Sequence, residues 1–255
     1  MALVAGAVAL GGCGARHHAP APAAPATRHA EQHVLVVTET AGFRHASIPA
    51  GVAAVRRLAR ADGRYDVRVV THARDLTASR LRRASAIVFL LTSGELPLSN
   101  AGKRRLLRFV RSGHGLLGFH SASDTFHHWR AWRLMIGAEF QRHPFRGVGR
   151  VVVTDRRHPA TRRLPRAFRI AEEFYFFKTS PRRRAHVLAR LDVASFGGSA
   201  HEDRPLVWCR REGHGRVFYD ALGHNSATWS EIHQRRLVAG ALAWAIGLRG
   251  ARAAC

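Results

Sequence analysis

Four short polar clusters in the sequence carry side chains able to do proton or metal chemistry. They are Thr38-Glu39-Thr40-Ala41-Gly42-Phe43-Arg44-His45, Thr92-Ser93-Gly94-Glu95, His120-Ser121-Ala122-Ser123-Asp124 and Gly223-His224-Asn225. A fifth, Glu172-Glu173-Phe174-Tyr175, lies between the last two. Imidazoles exchange protons near neutrality and ligate metals, and carboxylates act as partner acids or bases. Gly118-Phe119-His120-Ser121-Ala122 is the sharpest of these features. It has the frame of a nucleophile elbow, a tight strand-to-helix turn that lifts one side chain above a sheet. The apex residue is His120, neither Ser nor Cys. Three functional roles are open to it: general base, metal ligand, or donor that orients a substrate. A purely structural role, pairing with Asp124 to hold the turn, is open as well. The catalytic candidates are therefore His120, Asp124, Glu173 and His224, with His45, Glu95 and Tyr175 as substrate-binding neighbours.

Neither His-Glu-x-x-His nor paired Cys-x-x-Cys occurs, so spacing does not signal zinc. A site assembled from His120, Asp124 and His224 can nevertheless hold a divalent metal. Other histidines have blander readings. His127 and His128 flank aromatic residues and read as surface or packing groups; His143-Pro144 and His158-Pro159 read as turns. Cys209, between Trp208 and Arg210 in a strand pattern, reads as an inert buried cysteine. Trp129 and Trp132 read as packing residues, with Trp129 also able to rim a sugar site.

These clusters need a scaffold that gathers them, and the hydrophobic pattern supplies one. Val34 to Val37 is a continuous apolar run, as in a strand buried on both faces. Ser47 and Pro49 open a helix whose stripe is Val52, Val55, Leu58 and Ala59, and Gly63 stops it. Strand patterns recur at Val67 to Thr71, Ala86 to Leu91 and Gly115 to Phe119, with helical segments at Thr77 to Arg83 and after Ser99. This alternation predicts parallel strands with right-handed crossovers. In such sheets ligands bind at the carboxyl ends of the strands, where all four clusters fall. The second half reads as a helix over Trp129 to Ile136, with strands at Gly149 to Thr154, His186 to Asp192, Pro205 to Arg210 and Gly215 to Leu222. A final helix runs from about Trp229 to Ile246. Glu172 to Tyr175 falls on an irregular segment in this reading. One α/β domain over residues 33–249 results, with an open, mostly parallel sheet and helices on both faces.

Composition narrows the function classes. The 255 residues carry 41 Lys and Arg against 17 Asp and Glu, a net charge of +24. Only Lys103 and Lys178 are lysines, so the excess is arginine, scattered along the chain. Nucleic-acid binding would need a basic stripe or a recognised motif, and none is present. Scattered arginine beside abundant alanine instead has the mark of GC-rich coding. Three cysteines are too few for a disulfide scaffold. No apolar run is long enough to span a bilayer. At the N-terminus, residues 1–13 read as a signal segment, and Leu10-Gly11-Gly12-Cys13 is similar to a bacterial lipobox whose cysteine becomes lipidated, although a basic n-region is missing. Residues 14–32, rich in Pro, Ala and His, read as a tether. Residues 250–255 are expected to fray. The expectation is an exported lipoprotein whose only membrane contact is its lipid anchor.

The same segments resemble the ThuA-like family, named for trehalose utilisation, within the class I glutamine amidotransferase-like superfamily. The stretches that carry the resemblance are Val36 to Thr38, Gly42 to Ile48, Gly118 to Phe126, Met135 to Ala138, His158 to Thr161, Glu172 to Tyr175, Gly215 to Tyr219 and Gly223-His224. They span almost all of residues 33 to 247. The resemblance implies a three-layer flavodoxin-like fold and a small-molecule carbohydrate partner, including oxidised keto sugars. The amidotransferase relatives place cysteine at the elbow where this chain has His120, so thioester chemistry is not expected. Where the family more often has Asp, this chain has Glu172. Two functions follow as expectations. One is an enzyme that acts on a sugar or keto sugar by proton transfer or hydrolysis, with His120 as base and Glu173 or His224 as acid. The other is a non-catalytic carbohydrate-binding or envelope-associated module using the same pocket.

Overall fold

The computed structural model describes residues 1–3, 6, 32–199, 201–251 and 253–255. The lipobox at Leu10 to Cys13 and nearly all of the tether lie outside the described residues. In chain order the elements are β1 (Gln32–Val37), α1 (Ile48–Asp62), β2 (Tyr65–Val70), α2 (Ala78–Arg83), β3 (Ala86–Leu90), α3 (Asn100–Arg111) and β4 (Gly115–Phe119). They continue with α4 (Arg130–Ile136), β5 (Phe140–Val153), β6 (Ala167–Phe177), β7 (His186–Asp192), β8 (Arg204–Glu212), β9 (Gly215–Asp220) and α5 (Ile232–Ala245).

Local chemistry explains the boundaries. Thr77 and Ser99 cap α2 and α3, accepting the Arg80 and Gly102 amides and so satisfying otherwise orphaned donors. Gly63 ends α1 at φ 75°, its amide returning to the Ala59 carbonyl, a conformation glycine adopts without penalty. Ser47 does not cap α1. Its hydroxyl donates instead to the Gly223 carbonyl at 2.8 Å, tying two loops of the candidate site together.

Among the described residues, nine strands form one sheet in the order β2-β1-β3-β4-β9-β8-β7-β5-β6. The pairs β1–β2, β1–β3, β3–β4 and β4–β9 are parallel. The pairs β9–β8, β8–β7, β7–β5 and β5–β6 are antiparallel. The expectation of a mostly parallel sheet thus holds only for the first half, and the fold is α/β with a mixed sheet. Hairpin-like returns, such as the Glu212–Gly215 turn between β8 and β9, permit antiparallel pairing where no crossover helix intervenes. β1 has neighbours on both sides, so the crossovers to β2 and onward to β3 run in opposite directions. Right-handed crossovers then place α1 on one face and α2 and α3 on the other. The β1, β3 and β4 cores are fully buried between these layers.

The C-terminal residues, expected to fray, are pinned. Cys209 in β8 is disulfide-bonded to Cys255, the Ala253 carbonyl accepts from Trp244 at 3.3 Å, and Ala251 is buried. Cys209 is therefore not a free thiol, and its role is larger than packing. Sequence alone could not pair it, because a terminal cysteine has no periodic pattern that reports its neighbour. A disulfide closing a loop of this length contributes about 2–4 kcal/mol. The Cys209→Ser/Cys255→Ser variant should show that loss in urea denaturation, and reductant should shift the wild-type midpoint the same way but leave the double variant alone. Equal stability of the two proteins under oxidising conditions would refute the staple. Among the described residues, no helix is long and apolar enough to cross a membrane.

Candidate functional site

His120 follows β4 at φ 49°, a left-handed conformation that a side-chain-bearing residue holds only when its surroundings enforce it. Two features do so. The Tyr219 hydroxyl donates to the His120 carbonyl at 2.5 Å and lies 2.8 Å from Ser123 Oγ. Gly118 lets α4 close in behind the turn, since a Cβ there would lie 2.6 Å from Ile136 Cδ1. The elbow expected from sequence is thus present, with an imidazole at its apex.

The ring is oriented by one bond. His120 Nδ1 lies 2.8 Å from the Ala221 carbonyl oxygen. A carbonyl only accepts, so Nδ1 carries the proton and Nε2 presents a lone pair. That Nε2 is buried and has no hydrogen-bond partner. Burial, reinforced by neighbouring His45, pushes the imidazolium pKa well below its ordinary value, so the ring is neutral near pH 7.

Three further groups converge on it. His45, from the loop after β1, lies with its ring centroid 4.6 Å from that of His120 and 5.2 Å from that of His224. Burial first, then the charges of His224, His143 and Arg146, lower its pKa to about 4. His224, from the loop after β9, is half-buried and also lowered, chiefly by burial and against the attraction of Glu173. Glu173 of β6 lies 2.5 Å from His224 Nδ1 and 3.9 Å from His120 Nε2, both through Oε2. One ligand atom from each of His45, His120, Glu173 and His224 lies within 4.8 Å of all the others. Three imidazole nitrogens and a carboxylate oxygen form a donor set that divalent transition metals take.

The remaining candidates fall elsewhere. Asp124 does not join the cluster or hold His120. Its carboxylate is 3.1 Å from His127 Nε2, and burial raises its pKa against the pull of that histidine. Asp124 closes the 3₁₀ turn that His120 opens. Glu95 is exposed and structural, accepting the His128 amide at 2.7 Å. Its loop is zipped to its neighbours through the Thr40–Ser93 and Gly94–Thr125 bridges. Tyr175 does border the site, its ring centroid 4.1 Å from that of His120. Glu172 to Tyr175 is not irregular but the middle of β6. Successive strand residues leave opposite faces, so Glu173 enters the cluster while Glu172 turns to the His224 loop.

Two participants were not expected. His143, read as a turn residue, sits in β5 with Nδ1 2.7 Å from Glu173 Oε1. Arg146, paired in register with Glu173 across the β5–β6 ladder, reaches the same oxygen at 3.3 Å. Together they fix one carboxylate oxygen and leave Oε2 facing the histidines. The only signal was the density of His, Pro and Arg between residues 142 and 146, which reads equally as a loop. Surface cavities of about 360 Å³ beside His33, Arg68, Arg80 and Arg83, and 370 Å³ beside Arg130, Arg133 and Arg184, lie outside the cluster.

Chemically, the site offers lone pairs and an acid but no thiol. His120 holds the elbow, and Cys209 and Cys255, the cysteines in the described folded residues, are bonded to each other. A cysteine-dependent amidotransfer is therefore not its chemistry. A family model described as ThuA, trehalose utilisation, matches residues 33–245. The chain is similar to a protein described as ThuA-like from Bacteroides uniformis, at 21% identity and TM-score 0.72, over 89% of this chain and 95% of that one. A ThuA-like protein of Parabacteroides merdae gives 18%, 0.70, 88% and 93%. A β-galactosidase of Bacillus circulans gives 12% and 0.56, over 86% of this chain but 32% of that enzyme. At these identities the structures share the fold alone. No curated protein matches the sequence.

Proposed function

The chain belongs to the ThuA family, described as trehalose utilisation, and on that premise we propose that it is an exported enzyme acting on a carbohydrate or an oxidised keto-sugar derivative. The observation that carries this reading is the convergence of His45, His120, His224 and Glu173 at the strand ends. The reaction class is proton transfer next to a carbonyl, or hydrolysis. His120 Nε2 supplies the lone pair, and the Glu173–His224 pair handles the proton. A polyol suits such a centre, because each hydroxyl both donates and accepts. Phe43, 65% exposed, has its ring centroid 4.7 Å from that of His45; it offers an apolar face for sugar C–H groups beside the polar centre. His143 and Arg146 are partly open to solvent and can donate to further hydroxyls. Export is supported by Leu10 to Cys13, which also supplies the lipid anchor, and by the Cys209–Cys255 bond, since disulfides persist in oxidising compartments.

The test is turnover of a panel of disaccharides and their keto counterparts by the full chain, followed by NMR. We expect conversion of at least one keto sugar, reduced on the order of 10²-fold or more in Glu173→Gln. Binding without conversion would make the protein a carbohydrate-binding module. Neither binding nor conversion across the panel would remove the carbohydrate reading.

A further inference from the structure

The tautomer of His120 decides what its lone pair is for. Its proton is committed to the Ala221 carbonyl, and its bare Nε2 faces Glu173 Oε2 with no hydrogen-bond partner. A buried polar atom left unpaired is costly, and native proteins rarely leave one without a reason. Imidazole that donates one nitrogen's proton to a carbonyl and aims the other inward is the usual disposition of a metal-bound histidine. His224 Nδ1 shows the same anomaly. It lies 2.5 Å from Glu173 Oε2 yet is not aligned for a hydrogen bond. That gap holds no more than a shared proton; a metal about 2.0–2.2 Å from each atom takes the proton's place once the two side chains move apart to about 3 Å. Glu173, in turn, has its other oxygen held by His143 and Arg146, as metal-bound carboxylates are held by an outer shell.

We infer that His45, His120, His224 and Glu173 form a mononuclear divalent transition-metal site. Three imidazoles and one carboxylate suit Zn²⁺, Fe²⁺, Co²⁺, Ni²⁺ or Mn²⁺, and disfavour Ca²⁺ and Mg²⁺, which take oxygen ligands. The more open side faces His224, the least buried ligand, and its neighbours His143 and Arg146. A ligand entering there is one that offers adjacent oxygens, as the α-hydroxy-carbonyl unit of a keto sugar does. The metal assignment stands on the residues alone; the identity of this entering ligand rests on the carbohydrate reading. His120 then acts as a ligand and not as a free base.

The experiment is metal binding by the full chain. After chelator treatment and dialysis, Co²⁺ is titrated while visible absorption and bound metal are measured. One Co²⁺ per chain is expected, with the d–d bands of a nitrogen-rich site, and Zn²⁺ should displace it. His120→Ala/His224→Ala should abolish stoichiometric binding. Glu173→Gln, which keeps the side-chain shape, should weaken it, and His143→Ala should weaken it about 10- to 100-fold through loss of the outer support. Asp124→Asn, outside the cluster, should bind as wild type does, and circular dichroism reports whether each variant folds. Co²⁺ binding no tighter to wild type than to the double histidine variant would overturn the site. Metal binding without sugar turnover would keep the metal and remove the substrate. Sugar turnover unaffected by chelation, with no metal bound, would do the reverse.

Discussion

On the proposed keto-sugar reading, replacing His120 with asparagine should lower turnover by about 10²- to 10⁴-fold while the protein stays folded. Asparagine is the informative choice. It tolerates the left-handed backbone at φ 49° better than alanine does, and its amide can still donate to the Ala221 carbonyl. What it lacks is a lone pair at the position of Nε2. The variant thus removes chemistry and leaves the elbow. Whether that lone pair takes a proton or holds a metal, the loss appears in turnover. Asp124→Asn serves as the control, since its carboxylate faces His127 at 3.1 Å; turnover within a few-fold of wild type is expected. Kinetics of the two variants, with thermal melts alongside, give the answer. Full activity in His120→Asn would remove the elbow from the function altogether.

The parts of this centre legible in the sequence share one property: they sit where a strongly periodic strand stops. The apolar runs ending at Val37, Phe119 and Leu222 announce β1, β4 and β9, so His45, His120 and His224 could be placed at one sheet edge before any coordinates. The elbow could be read from the small residues Gly118 and Ala122 that flank it, and a Cβ at Gly118 would meet Ile136 Cδ1 at 2.6 Å. β6 and the first part of β5, before the strand read at Gly149, were illegible for the opposite reason. β5 is largely exposed, contains Pro144, and shifts register between Phe140 and Phe145; proline and polar runs argue against a strand. β6 carries two adjacent acids, which pattern reading treats as a break. Their pairing with each other is a long-range fact, and it alone delivers Glu173, His143 and Arg146. For the same reason Asp124 was misplaced. Adjacency to His120 in sequence says nothing of direction once the chain turns through a 3₁₀ segment. The antiparallel half of the sheet was underestimated because its strands lack intervening helices to announce them.

Glu172→Ala should cost about 3–5 kcal/mol of stability, a loss at the upper end for a single residue. Its carboxylate is 1% exposed and accepts the amides of Glu173 at 3.0 Å, Gly223 at 3.1 Å, His224 at 3.1 Å and Asn225 at 3.4 Å, together with the Thr228 hydroxyl. Alanine leaves these donors facing a void. Each unsatisfied buried donor costs about 1–3 kcal/mol, and relaxation and water entry keep the total below the sum. Glutamine should recover part of the loss, since one oxygen still accepts, but its NH₂ opposes amides that also donate. Aspartate, a methylene shorter, keeps the charge and not the reach. The effect does not stop at stability. Glu172 is the clamp between β6 and the loop that carries His224, and the same loop is held from the other side by Ser47 and Trp229 on the Gly223 carbonyl. Loosening it lets His224 drift from Glu173 Oε2, so Co²⁺ affinity should fall in Glu172→Gln although residue 172 touches no ligand atom. Urea denaturation reads the first effect and metal titration the second. A Glu172→Ala midpoint matching wild type would mean the loop is held without the clamp. A lost midpoint with unchanged metal affinity in Glu172→Gln would mean His224 is positioned by Glu173 alone.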